Sequence, residues 1–200
     1  MIQTQSLEIF KQNHYISYDI GYVSNNAYLS IIATNDCQMN CAYCINSETD
    51  HTLHLPIEKA IRNIKELVSK YKVKEAIILG GEPLLHPEIL TLIRRLRIES
   101  GLEKIRLTTN GIKIKNDFVF LEKLVDERYG IHGLNISFHN EEFMTFKELE
   151  NIYKKVKGYN PNVKIRINTN IWRGNLDNLW FLRNFLQRLQ LSYNCCDEIR

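Results

Sequence analysis

The sequence predicts an α/β protein built on a parallel sheet, and two observations carry that prediction. From Tyr28 onward, short apolar runs alternate with longer stretches of helical periodicity. Several of those runs are also apolar at alternate positions only, which gives a strand one packed face and one polar face. The first strand is Tyr28–Ala33. Pro56–Tyr71 reads as a helix with Ile57, Ala60, Ile61, Ile64, Leu67, Val68 and Tyr71 on one stripe. Glu75–Leu79 is a second strand. Pro87–Arg97 is a helix that turns Ile89, Leu92, Ile93 and Leu96 inward, with Pro87 in its first turn and Gly101 past its end. Lys104–Thr108 is a strand, and Asn116–Glu127 a helix using Phe118, Leu121, Leu124 and Val125. Leu134–Phe138 is a strand, Met144–Lys157 a helix, Val163–Asn168 a strand after Pro161, and Leu176–Leu191 the last helix. Five consecutive strand–helix pairs of this kind form a parallel sheet with helices outside, open or rolled toward a barrel. Residues 1–27 precede the repeat as an extension, in which His14–Tyr22 reads as an edge strand or hairpin.

The strand faces carry more information. Ala76–Leu79 is continuously apolar, the pattern of a strand buried on both sides. In the later strands Arg106, Thr108 and Asn110 share one face, as do Asn135, Ser137 and His139, and Lys164, Arg166 and Asn168. Their alternates, Ile105, Leu107, Leu134, Ile136, Phe138, Val163, Ile165 and Ile167, are apolar and suited to helices. Burying the polar set against apolar layers is costly. The expectation is therefore a lumen filled by ligand and water, with a plain solvent-exposed face as the alternative.

At 200 residues and 44% hydrophobic, the chain is one domain with a sizeable core. A net charge of +3 is too weak to indicate nucleic acid. No apolar run reaches 18 residues, so the sequence predicts no membrane span. Met1–Lys11 lacks the basic start and apolar block of a secretory signal. Five cysteines, three of them crowded within Cys37–Cys44, fit metal ligation in a reducing, cytoplasmic setting better than disulfides.

Those three form C-x3-C-x2-C at Cys37, Cys41 and Cys44, after the first strand. Three thiolates in one short loop can hold three corners of an iron–sulfur cube and leave the fourth iron open. A structural zinc site is the competing reading, with His51 or His54 as a fourth ligand. The second strand runs into Gly80-Gly81-Glu82-Pro83, and the third into Thr109-Asn110-Gly111. Taken alone, the first of these is a tight turn and the second a strand-end turn. Cys195 and Cys196 read as ordinary residues.

Together, the cysteine motif, Tyr43 before its last cysteine and Gly-Gly-Glu-Pro resemble the radical S-adenosylmethionine (radical SAM) superfamily, from Tyr28 to about Asn170. The resemblance implies a partial, open parallel (βα) barrel. It implies a [4Fe–4S] cluster on Cys37, Cys41 and Cys44, with S-adenosylmethionine bound at the vacant iron. Tyr43 would lie near the adenine, and Gly80, Gly81, Glu82 and Pro83 would meet the methionine amino group through their backbone. Ser137, with His139 next on its face, would contact the ribose and carboxylate region. Arg166 and Asn168 on the fifth strand, and Asn110 at the end of the third, complete the implied cofactor set. The implied reaction is reductive cleavage to a 5′-deoxyadenosyl radical that takes hydrogen from the substrate, with the electron supplied by an external flavodoxin- or ferredoxin-like donor.

The family's core usually has six strand–helix units, and five are legible here. Asp197-Glu198-Ile199-Arg200 looks like the start of a sixth strand. The domain is thus expected to run over 28–200 and to be short at its C-terminus or completed by a partner. Gly-Gly-Glu-Pro-Leu-Leu and Thr-Asn-Gly resemble the molybdenum-cofactor and peptide-maturation branches, while glycyl-radical activases and deazapurine synthases have similar length. The substrate is therefore a nucleotide-like small molecule or a peptide. A non-enzymatic zinc- or cluster-stabilised scaffold is the reading from a different class.

Overall fold

A computed structural model of the chain describes residues 28–41, 44, 46, 52–139, 141–169, 183, 184 and 187, and the backbone of 198–199. The strands are β1 (Tyr28–Thr34), β2 (Glu75–Gly80), β3 (Lys104–Thr109), β4 (Gly133–Ser137), β5 (Lys164–Asn168) and β6 (Glu198–Ile199). They lie side by side in chain order as one sheet, and every pairing is parallel. Between them run helices α1 (Ile57–Tyr71), α2 (Ile89–Glu99), α3 (Ile112–Asn116), α4 (Phe118–Leu124) and α5 (Phe146–Tyr159), with a 3₁₀ turn at Pro83–Leu85. The expected sixth strand is present as β6, with Glu198 beside Arg166 and Ile199 beside Ile167. Residues 1–27, including His14–Tyr22, lie outside the described residues. So does most of the helix expected at Leu176–Leu191, of which positions 183, 184 and 187 are helical. Among the described residues no helix is long and apolar enough to cross a membrane.

The core forms where the alternation predicts it. Ala33, Ala76, Ile78, Ile105, Leu107, Leu134 and Ile136 are sealed under the helices. They meet Ile61 and Ile64 of α1, Leu92 and Leu96 of α2, Leu121 of α4, and Ile152 and Val156 of α5 in one continuous cluster. The other face carries Thr108, Ser137, Arg166 and Asn168, all half-buried, and Asn135, which is buried. This open sheet has the arrangement of a partial (βα) barrel, in which the inner strand faces line a concave surface.

Four local expectations are revised. Ile77 and Leu79 of β2 are only half-buried, so this strand is not covered on both sides but contributes an apolar strip to the inner face. Leu67, placed on the α1 stripe, is exposed. The α2 helix starts at Ile89 rather than Pro87, because the 3₁₀ turn comes first and the His86 ring accepts the Glu88 amide at 3.1 Å. The helix expected at Asn116–Glu127 is α4, shorter at both ends, and the short α3 precedes it without having been expected. Asp117 separates the two by accepting the Phe120 amide at 2.9 Å, which caps α4 in place of a continuing turn.

Candidate active site

At the carboxyl ends of β1 to β4 the chain encloses a cavity of about 210 Å³. Cys37, Cys41 and Cys44 all line it, as free, half-buried thiols on the loop that follows β1. Two of the sulfurs already accept main-chain hydrogen bonds, Cys37 Sγ from Met39 and Cys44 Sγ from Asn46, each at 3.4 Å. Burial pushes the Cys37 thiol up. The Met39 amide opposes that rise, and the Glu82 carboxylate adds to it. A bound cationic centre inverts such a balance, because a coordinating thiol is deprotonated.

The opposite wall is the end of β2. Gly81 N donates to Thr34 O at 2.8 Å, and Glu82 N donates to Asp36 O at 2.7 Å. A Cβ at Gly80 would stand 2.1 Å from Thr34 O, and one at Gly81 would stand 2.3 Å from Asp36 O. The two glycines therefore let the turn lie against the backbone of the cysteine loop. The Gly80 carbonyl accepts from Asn46 Nδ2 at 3.1 Å, which adds a second tie between turn and loop.

The Glu82 side chain is 1% exposed. Burial pushes its carboxyl up in pKa, while hydrogen bonds from the Asn110 amide, the Thr109 hydroxyl and the Leu84 amide pull it down. Asn110, Ser137 and His139 complete the lining together with Met39, Leu79, Thr108 and Thr109. Burial holds the His139 imidazole below its usual range, which favours the neutral ring. Of the residues singled out from sequence, Cys37, Cys41, Cys44, Gly80, Gly81, Glu82, Asn110 and Ser137 thus meet around one cavity. Pro83 is buried behind it, and Arg166 does not line it. Asn168 lies beside Ser137 in register, one strand further out. Tyr43 lies outside the described residues. Sequence reasoning passed over Asn46, Leu79 and Met39. Only Leu79 carried a signal, as the last apolar residue before the glycines.

The donor set fits an iron–sulfur cube. Three free thiols line one cavity, enough for three of a cube's four irons, whereas a structural zinc would need a fourth ligand. His54, the possible fourth zinc ligand, instead places Nδ1 2.8 Å from Thr34 Oγ1 across an antiparallel bridge to β1. His51 is outside the described residues.

An open parallel (βα) sheet with a three-thiol cavity at its carboxyl ends defines a class of cluster-binding barrel proteins. Within that class, the chain belongs to the Radical SAM superfamily, whose match spans residues 31–168. Members of this family use a [4Fe–4S] cluster and S-adenosylmethionine. The chain is 32% identical over 153 residues to a GTP 3′,8-cyclase of Clostridium perfringens, covering 71% of this chain and 46% of that protein. It is 30% identical over 163 residues to Molybdenum cofactor biosynthesis protein 1 of Homo sapiens, covering 74% of this chain and 24% of that protein. The chain thus spans less than half the length of these relatives. In fold it is similar to Streptococcus suis SuiB bound to precursor peptide SuiA, with a TM-score of 0.66, 19% identity, and coverage of 94% of this chain and 42% of that one. It is also similar to anSMEcpe with bound AdoMet, with a TM-score of 0.57, 16% identity, and coverage of 86% and 63%.

Proposed function

We propose that the chain is a radical SAM enzyme that cleaves S-adenosylmethionine reductively and takes a hydrogen atom from a nucleotide-class substrate. One observation carries the reading: Cys37, Cys41 and Cys44 face a single cavity whose far wall is the Gly80–Glu82 turn. The three thiolates would hold three irons of a [4Fe–4S] cluster. The turn, with Pro83 behind it, would border the methionine end of S-adenosylmethionine, with Asn110 and Ser137 on the adjoining strand ends and Tyr43 toward the adenine. Arg166 and Asn168, one strand outward, would serve the outer edge of the same ligand or the substrate. When bound, the cluster and S-adenosylmethionine supply one-electron cleavage of the sulfonium to methionine and a 5′-deoxyadenosyl radical. The chain's own task is to orient that pair and keep water and other hydrogen donors from the radical.

The substrate class rests on two supports. The curated relatives that share about 30% identity include GTP 3′,8-cyclases. The inner face also offers Thr108, Asn135 and Ser137 beside Arg166, groups suited to a hydrogen-bond-rich, phosphorylated ligand. The likeness to a peptide-bound structure, at 19% identity, supports the fold alone. The electron would come from an external flavodoxin- or ferredoxin-like protein, and the free thiols suit the reducing cytoplasm.

The test is anaerobic reconstitution with iron and sulfide, followed by a cleavage assay with a strong reductant. The expected result is about four irons per chain with broad visible absorbance, and release of 5′-deoxyadenosine that rises when GTP is added. Cys41→Ala should abolish the release. One colourless ion per chain with intact S-adenosylmethionine would identify the scaffold reading as correct instead.

A further inference from the structure

Glu82 makes more contacts than a turn residue needs. Its Oε1 accepts the Leu84 amide at 3.0 Å and the Thr109 hydroxyl at 2.7 Å, and its Oε2 accepts the Asn110 amide at 2.7 Å. Its own amide reaches Asp36 O in the cysteine loop. The chain of contacts continues from β3, where Asn110 Oδ1 accepts the Ile112 amide at 3.0 Å and faces Gln38 Nε2 at 3.4 Å. Gln38 is the neighbour of Cys37. Glu82 therefore reaches the cysteine loop twice, once through its own backbone and once through Asn110 and Gln38.

We propose that Glu82 is a positioning residue: its buried carboxylate bolts the end of β3 to the glycine turn and so holds the cysteine loop and cavity wall in register for S-adenosylmethionine. This inference rests on the function proposed above and assigns a task to the Glu82 side chain that backbone contacts of the turn do not require. The physical argument is one of cost. A carboxylate this deeply buried is expensive, and an apolar residue of the same shape would serve packing better. Its donors all come from turns and strand ends around the cavity. A carboxylate supplies acceptors to all of them and a carboxamide cannot, because a Gln side chain turns a donor toward a donor. Thr109 is the sensitive partner. Its hydroxyl donates to Glu82 and accepts the Gly111 amide at 3.0 Å, which links the bolt to the start of α3.

The experiment compares Thr109→Val, Thr109→Ser and Glu82→Gln in the full chain, metal-free and anaerobically reconstituted. Hydrogen exchange at the Asn110 amide in the metal-free protein should speed up about tenfold in Thr109→Val and stay near wild type in Thr109→Ser. After reconstitution to equal iron content, Thr109→Val should bind S-adenosylmethionine about tenfold more weakly. Thr109→Ser should restore the affinity, and Glu82→Gln should weaken it further. The change that S-adenosylmethionine causes in the electron paramagnetic resonance spectrum of the reduced cluster should diminish in the same order. A lowered melting temperature with unchanged affinity in Thr109→Val would overturn the positioning role and leave a purely structural one. If Glu82→Gln fails to fold, the Thr109 pair alone decides. Absence of S-adenosylmethionine binding in the unmodified chain would overturn the functional reading and this inference together, whereas normal binding there with unaffected variants overturns this inference alone.

Discussion

A Cβ at Gly81 would stand 2.3 Å from Asp36 O and 2.6 Å from Asn35 O, and both obstacles are main chain. No rotamer change relieves such a contact, so Gly81→Ala must displace either the turn or the cysteine loop. The Gly81 N to Thr34 O and Glu82 N to Asp36 O bonds would be lost in the process. The expected cost is about 2 kcal/mol of stability, together with a fall of about a hundredfold in S-adenosylmethionine cleavage from misplacement of about 1 Å. Chemical denaturation and 5′-deoxyadenosine release from protein of matched iron content would check both. Near-normal cleavage in that variant would mean that the loop position is not set by this contact. The sequence made Gly80 and Gly81 conspicuous as a pair without showing what lies against them, because their neighbour is a loop some 45 residues earlier. The cysteines were legible for the opposite reason, since their spacing is local. The bond from Thr109 to Glu82 spans 27 positions and left no trace in any window of the chain.

Among the elements, α5 shows how a helix start is decided. Thr145 Oγ1 accepts the Glu148 amide at 3.2 Å, and Glu148 Oε2 accepts the Thr145 amide at 2.7 Å, which is a complete capping box. The Thr145 amide and the Lys115 ammonium hold the Glu148 carboxyl below its usual range. Thr145→Ala should therefore cost about 1 kcal/mol, read as a lower urea midpoint, with S-adenosylmethionine cleavage unaffected because Thr145 is not among the residues that line the cavity. An unchanged midpoint would show that packing of Leu149, Ile152 and Val156 alone fixes the helix. The signal, Thr-x-x-Glu before an apolar stripe, stands in the sequence, and the helix was expected within two residues of its true start. The short α3 was harder to read. Phe118, Leu121, Leu124 and Val125 give α4 its helical spacing, whereas the five residues of α3 are too few to show a period, and Asp117 caps α4 where a continuous helix would run on. Side-chain competition for the backbone overrides a hydrophobic repeat only when geometry allows it, and spacing does not encode that.

Over the whole molecule, the parallel order was legible because each later strand carries a packed face at every second residue, and a one-residue slip would bury Arg106, Asn135 or Arg166 among the helices. The inner face of β2 was misread because Ile77 and Leu79 are apolar whichever way they point. One contact joins the strands at the opposite end from the cysteines. The His132 ring accepts the Ile105 amide at Nδ1, 3.0 Å away, and meets the Arg97 guanidinium at Nε2. Its backbone donates to Ile105 O and accepts from Lys164 N, so His132 bridges β3 to β5. Burial first, then the charges of Arg97 and Lys104, hold this imidazole below its usual range, against Glu75, which favours the protonated ring. The unfolded chain binds the proton more readily than the folded one, so stability rises with pH through this window. The contribution is fully present above the ordinary histidine value of about 6.5 and is lost as the pH falls through the folded-state value. His139, also depressed by burial, acts in the same direction. Glu75 and Glu148 are held low and lose their contributions only below the ordinary carboxylate range, while the Glu82 carboxyl, pushed up by burial, works against the histidines. Urea unfolding of the metal-free chain at pH 7.5 and 5.5 should therefore show a midpoint that falls less, or rises more, toward pH 5.5 in His132→Asn than in the unmodified chain, because one of the two rings held low by burial is gone. A pH dependence of the same size in His132→Asn would place the titration elsewhere, and a midpoint that falls more steeply toward pH 5.5 in that variant would contradict the sign of the coupling.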